Sequence, residues 1–356
     1  MKKLGNILLI FLAIGISSGI FLVIDNYNYD TQYSENFETV ELNNVKQDVF
    51  PDIYYIILDE YAGNYSLTKN FNYNNEEFLT ALAERGFFIP SNNFSNYPYT
   101  ALSLPSILNL QYIDFISQEM DEKSSDLKSL KQLRERNLVV KNLNLVGYHT
   151  VSFYSGAGNV PLEVDERLCK DENKRAEILC TFSEMPKLKE RISKPLFAYS
   201  HMSLPHDPYV FDKNGNEVIF DSKNAEDERE FYLEQLKFTN KKTIEFIDSI
   251  INDKEYSPII ILQSDHGERI GVNWENPTNE MILQSFNNFN AYYMPGIEQE
   301  SILYDDITPV NTFRVVFNAY FDQELELLED RHFWFTSDKK PYKSFEVTDI
   351  INEFRS

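Results

Sequence analysis

From residue 50 onward, short unbroken apolar runs alternate with stretches of helical spacing. IYYIIL (Ile53–Leu58), TVSFY (Thr150–Tyr154), PLFAY (Pro195–Tyr199) and IIIL (Ile259–Leu262) are runs of strand length, rich in β-branched and aromatic residues. FFI (Phe87–Ile89) predicts a shorter strand. Residues 75–85 place Phe78, Leu79 and Leu82 on one helical face and stop at Gly86. Helices are also predicted over 101–110, 127–145, 227–251 and 309–321, the last with Pro309 at its start. Continuous apolar strands separated by helices predict an α/β fold: a mainly parallel central sheet with helices on both faces. In such sheets chemistry gathers at the carboxyl ends of the strands.

The N-terminus has a different pattern. Lys2 and Lys3 precede a stretch from Ile7 to Ile24 without a single charge. It predicts one N-terminal transmembrane helix, with a cleaved signal peptide as the competing reading. No small-x-small site precedes Asp25-Asn26, so the anchor is favoured. The lysines then stay inside and everything after them faces outward. The expected organisation is an anchor over 1–24, a polar stalk over 25–49 and a catalytic domain over 50–356.

Composition narrows the partners. The 356 residues carry 56 acidic against 33 basic groups, a formal charge of -23. No basic stripe is available to neutralise phosphates, which excludes nucleic acid as a partner. The two cysteines, Cys169 and Cys180, have no CxxC partner or nearby His for a zinc site. In an exported chain they form one local disulfide or remain two thiols.

Three strand ends carry ionisable groups: Asp59-Glu60, the His201 and His206 that follow Tyr199, and Asp265-His266. Singly, each has a plain reading. An Asp near a Gly makes a turn, and a lone His is a satisfied core residue. Together they form an oxygen and nitrogen donor set suited to one divalent metal, zinc or manganese. Thr100 stands where a helix begins. It is either an ordinary N-cap or a hydroxyl facing an anion bound at the helix N-terminus.

Four segments in this order, PDIYYIILDEYAG, SNYPYTALSLPSILN, HMSLPHDPYVF and QSDHGER, resemble the sulfatase/alkaline phosphatase superfamily. Within it they are most similar to the branch containing lipoteichoic acid synthase and the lipid A phosphoethanolamine transferases. LYDDITPVNTFRVVFN resembles a C-terminal segment of sulfatase-like membrane proteins, so the likeness runs from about Phe50 to about Asp330. The resemblance implies an alkaline phosphatase-like fold. It implies Asp59, Thr100, Asp265 and His266 as metal ligands and Thr100 as nucleophile. His206 is implied as a catalytic and substrate-binding residue, His201 as a supporting one, and Glu60 as a replacement for or supplement to Asp59.

Two departures sharpen this. Neither cysteine begins the Cys-x-Pro-x-Arg pattern of formylglycine sulfatases. No His lies between Gly267 and Arg331, where the phosphoethanolamine transferases carry one, which argues against a full second metal site. The resemblance therefore implies a membrane-anchored, extracytoplasmic transferase of phosphoethanolamine- or phosphoglycerol-type groups onto envelope lipids or glycans. The alternatives are a phosphodiesterase of the same superfamily and an inactive glycan-binding or scaffold protein.

Overall fold

A computed structural model describes Leu42 and residues 50–157, 163–221, 223–251, 257–337 and 340–356. The predicted anchor and, Leu42 apart, the stalk lie outside the described residues. Among the described residues no helix is long and apolar enough to cross a membrane.

The apolar runs form the strands they predict. They are β1 (Ile53–Leu58), β2 (His149–Phe153), β4 (Leu196–Met202) and β5 (Ile259–Gln263), with a three-residue β3 (Glu166–Leu168) between β2 and β4 in sequence. With β6 (Asn290–Tyr293) they make one sheet of order β3-β2-β4-β1-β5-β6. Neighbours among β1 to β5 pair in parallel, and β6 runs antiparallel to β5. Every residue of β1, β4 and β5 is buried, which is why these strands read as continuous apolar runs without alternation.

Both faces are covered. Tyr54, Ile56 and Leu58 join Ala198, Ile260 and Leu262 in a core with Leu67, Phe78, Leu82, Leu236 and Ile247 from helices Asn64–Phe71, Glu76–Glu84 and Ala225–Ile251. On the other face Tyr55 meets Phe313 of helix Thr312–Tyr320 edge-on, at 5.0 Å between ring centroids, and Phe197 meets the same ring at 6.2 Å. This second face also receives helix Thr100–Leu108, through Ser103.

Several boundaries differ from the sequence pattern. Residues 127–145 are two helices, Lys128–Glu135 and Leu138–Leu145, because the Asn137 side chain accepts Val140 N–H at 2.9 Å and caps the second. Residues 87–89 make only a single bridge, Phe88 to Tyr292. The helix from Pro309 begins as a 3₁₀ turn, Pro309–Asn311. A hairpin of β7 (Phe333–Phe335) and β8 (Ser344–Glu346) was not expected. Cys169 and Cys180 are joined in a disulfide that ties the loop after β3 to helix Lys174–Glu184.

Candidate active site

Strand parity assembles the first part of the site. In the parallel register Ile57 lies opposite His201 on β4 and Gln263 on β5. Side chains two residues apart share a face, so Asp59 and Asp265, each two residues further along, continue the face that carries His201. His201 Nε2 lies 3.3 Å from Asp59 Oδ2 and 3.7 Å from Asp265 Oδ2. All three residues are buried. Asp59 Oδ1 and Asp265 Oδ2 are buried without a hydrogen-bond partner, an arrangement that costs free energy unless something positive meets them.

Helix Thr100–Leu108 delivers the hydroxyl. Thr100 is its first residue; the N-cap is Tyr99, so the Thr100 side chain is not spent on capping. Its Oγ1 lies 3.1 Å from His266 Nε2. The Ser103 hydroxyl donates to Asp265 O at 2.6 Å and pins the helix to the strand end. His266 Nδ1 donates to Gly267 O at 2.8 Å, which leaves Nε2 with its lone pair toward Thr100, Asp59 Oδ1 (3.8 Å) and Asp265 Oδ2 (3.5 Å). Gly267 is required for a reason other than a turn. A Cβ there would overlap the backbone carbonyls of Gln284 and Asn287.

The charges explain one another. Burial pushes the Asp59 pKa up, but His206, His201 and His266 outweigh it and hold the carboxylate well below its ordinary value. Asp265 is likewise lowered, with His266 prevailing over burial and over the repulsion of Asp59. Burial works against charge on His201 too, yet Asp59 and Asp265 raise it to about 9. Burial lowers the His266 pKa, keeping the ring neutral. This pocket keeps two carboxylates ionised and calls for positive charge between them.

His206 stands in an adjoining group. Its Nε2 lies 3.4 Å from Glu60 Oε2 and 3.2 Å from Arg269 Nη2, and its Nδ1 lies 3.1 Å from the Asp207 carboxylate. Burial opposes its charge, but Asp59 and Glu60 raise its pKa. Lys174 Nζ and Gln235 Nε2 both donate to His206 O at 3.0 Å and hold the loop. Glu60 is occupied by Arg269 and points away from the Asp59–Asp265 pair's open oxygens; its carboxylate accepts the Arg269 backbone N–H at 2.8 Å. Arg269, Lys174 and Gln235 are absent from the residues singled out in the sequence. Arg269 had a signal, its place directly after Asp-His-Gly-Glu. The other two are joined to His206 only by tertiary structure.

The donors fit a divalent cation. Ligands about 2.0–2.1 Å from zinc in a tetrahedron sit about 3.3 Å from one another. The contacts among Asp59, His201, Asp265, His266 and Thr100 run from 3.1 to 3.8 Å. Asp59, His201 and Asp265 alone form a possible metal-holding cluster.

The sulfatase family model matches residues 51–301, more than half of the chain. The chain belongs to the sulfatase family. It is an enzyme of the sulfatase/alkaline phosphatase superfamily. The C-terminal periplasmic domain of EcEptC from Escherichia coli has the same fold, at 14% identity and a TM-score of 0.57, over 87% of this chain and 96% of that one. That domain is also known in complex with zinc. The integral membrane lipooligosaccharide phosphoethanolamine transferase A from Neisseria meningitidis aligns at 14% identity and a TM-score of 0.53, over 83% of this chain and 60% of that one. BT1596, a 2-O GAG sulfatase, aligns at 12% identity and 0.56, over 81% and 78%. No curated protein sequence matches the chain.

Proposed function

We propose that this sulfatase-family enzyme transfers a phosphoryl-linked head group, of phosphoethanolamine or phosphoglycerol type, onto an envelope lipid or glycan through a covalent Thr100 intermediate. The observation that carries the reading is the meeting of Thr100 Oγ1 with His266 Nε2 beside two buried, unsatisfied carboxylate oxygens. Asp59, Asp265, His266 and Thr100 would hold one divalent metal, zinc or manganese, with His201 beside them. Such an ion lowers the pKa of a bound hydroxyl and offsets charge on phosphoryl oxygens.

The chain's own residues perform the remaining steps. Thr100 Oγ1, deprotonated, attacks phosphorus at the start of its helix, where backbone N–H groups favour the anion. The bond from phosphorus to the leaving oxygen breaks, and His206 gives that oxygen its proton. An acceptor hydroxyl returns a proton to His206, attacks phosphorus and releases Thr100. The fold neighbours include transferases of membrane-bound lipooligosaccharide, and a disulfide suits an oxidising compartment. Both support an extracytoplasmic catalytic domain tethered by residues 1–24.

The test supplies metal-loaded protein with phosphatidylethanolamine or phosphatidylglycerol carrying a labelled head group, together with an oligosaccharide acceptor. Label is expected in the saccharide. Label appearing only as a soluble phosphate ester would mean water is the acceptor and the enzyme a phosphodiesterase.

A further inference from the structure

Glu60, His206 and Asp207 bring ligand atoms within reach of one another, a set that alone would suit a second cation. That place is taken by Arg269. Its Nε and Nη2 reach Glu60 Oε1 and Oε2 at 3.4 and 3.3 Å, and Nη2 lies 3.2 Å from His206 Nε2. Its guanidinium carbon stands 5.8 Å from the Tyr99 ring centroid and 6.0 Å from that of Trp274, so two aromatic faces hold the group. Tyr99 directly precedes Thr100, which brings this charge next to the hydroxyl.

The backbone is shaped for the pairing. Glu60 has φ +61°, a left-handed conformation rare for a residue with a side chain. The Tyr232 hydroxyl donates to Glu60 O at 2.9 Å and holds the conformation. Arg269 Nη1 makes none of these bonds and remains for a ligand. A metal ion bound by Glu60 and His206 would have to displace the guanidinium or lie against it, and like charges at that distance repel strongly in a buried site.

We propose that Arg269 is the second cation of this site: its guanidinium, in place of a second metal ion, binds oxygens of the phosphoryl group carried by Thr100. The inference rests on the reading of Thr100 as the acceptor of that group. A guanidinium suits the role because it is planar, permanently charged and offers paired N–H donors to two oxygens. It also accounts for a site of this family that lacks the downstream His between Gly267 and Arg331.

The full chain, stripped with chelator, is titrated with zinc, and metal per chain is measured by elemental analysis. Inorganic phosphate is then titrated into the zinc-loaded protein by calorimetry. The wild type is expected to take up one zinc. Arg269→Ala is expected to bind phosphate at least tenfold more weakly, with Arg269→Lys in between, and to accept a second zinc at the vacated Glu60–His206–Asp207 set. Two zinc ions in the wild type overturn the inference, as does unchanged phosphate affinity in Arg269→Ala. An Arg269→Ala protein that stops at one zinc overturns the exclusion of a second ion. Arg269→Gln replaces Arg269→Ala if the latter does not fold. Failure of the Thr100 reading is told apart by Thr100→Ala: sustained turnover there defeats that reading without altering these zinc and phosphate measurements.

Discussion

Thr100 Oγ1 and His266 Nε2 lie 3.1 Å apart although 166 residues separate them in sequence. The contact exists because a helix start and a strand end meet on one face of the sheet. The Gly267 carbonyl fixes the ring so that its lone pair faces the hydroxyl. An N-cap threonine would have spent its oxygen on its own helix.

Thr100→Ala should therefore abolish turnover while leaving the fold intact. Loss of a nucleophile costs on the order of 4 kcal/mol, about a thousandfold in rate. Thr100→Ser keeps the oxygen and should retain a measurable share. Steady-state rates on a lipid donor, with circular dichroism as the control for folding, check both.

Asp59→Asn and Asp265→Asn should each lose bound metal. They should also relieve the apo protein, since two buried carboxylates share one pocket. The expected pattern is an apo variant at least as heat-stable as the apo wild type, with no further gain on adding zinc. The wild type should gain about 4 kcal/mol at a thousandfold excess of zinc over its Kd. Thermal melts with and without chelator provide the check.

His332 predicts an acid-sensitive step away from the metal site. The ring is buried among Phe94 and Phe286, and its Nδ1 donates to Ser95 O at 2.7 Å. Burial pushes its pKa down to about 3 from the ordinary 6.5. The unfolded chain thus takes up a proton below about pH 6.5 that the folded chain refuses until about pH 3. Stability is fully present above pH 6.5 and falls as the pH drops toward 3, by up to about 1.4 kcal/mol per pH unit. Urea midpoints from pH 7 to 4 should show this slope, and His332→Gln should flatten it.

The Cys169–Cys180 bridge closes a loop of sequence separation 11. Breaking it with a Cys180→Ser substitution should cost about 2–4 kcal/mol by freeing the unfolded chain. Denaturant titration of the variant beside the oxidised wild type measures the loss.

The legible parts of this protein are those with a simple period or a strong local type. β1, β4 and β5 are buried on both sides, so each leaves an uninterrupted apolar run. Asp59 and Asp265 are visible because acids break such runs at their ends. The short elements are not legible: β3 is a half-exposed Glu-Arg-Leu, and β6 is stabilised by pairing with β5 more than by its own residues. His201 and His206 illustrate a finer limit. The family motif favours His206, whereas parity across β4 sets His201 between the two aspartates. That parity needs the register, which a single sequence does not specify. Gly267 shows the same limit, because its neighbours Gln284 and Asn287 come from another element. Lys174 and Gln235 reach His206 only through folding, so nothing local marks them.

The central claim, that Thr100 carries the transferred group, is tested most directly by mass spectrometry of the trapped enzyme. Zinc-loaded protein is mixed with a phosphatidylethanolamine or phosphatidylglycerol donor in the absence of saccharide, quenched in acid and digested. The account predicts a head-group phosphoryl adduct on the peptide containing Thr100, absent without metal and absent in Thr100→Ala. Turnover with no adduct on Thr100, or with the adduct on another residue, would contradict it.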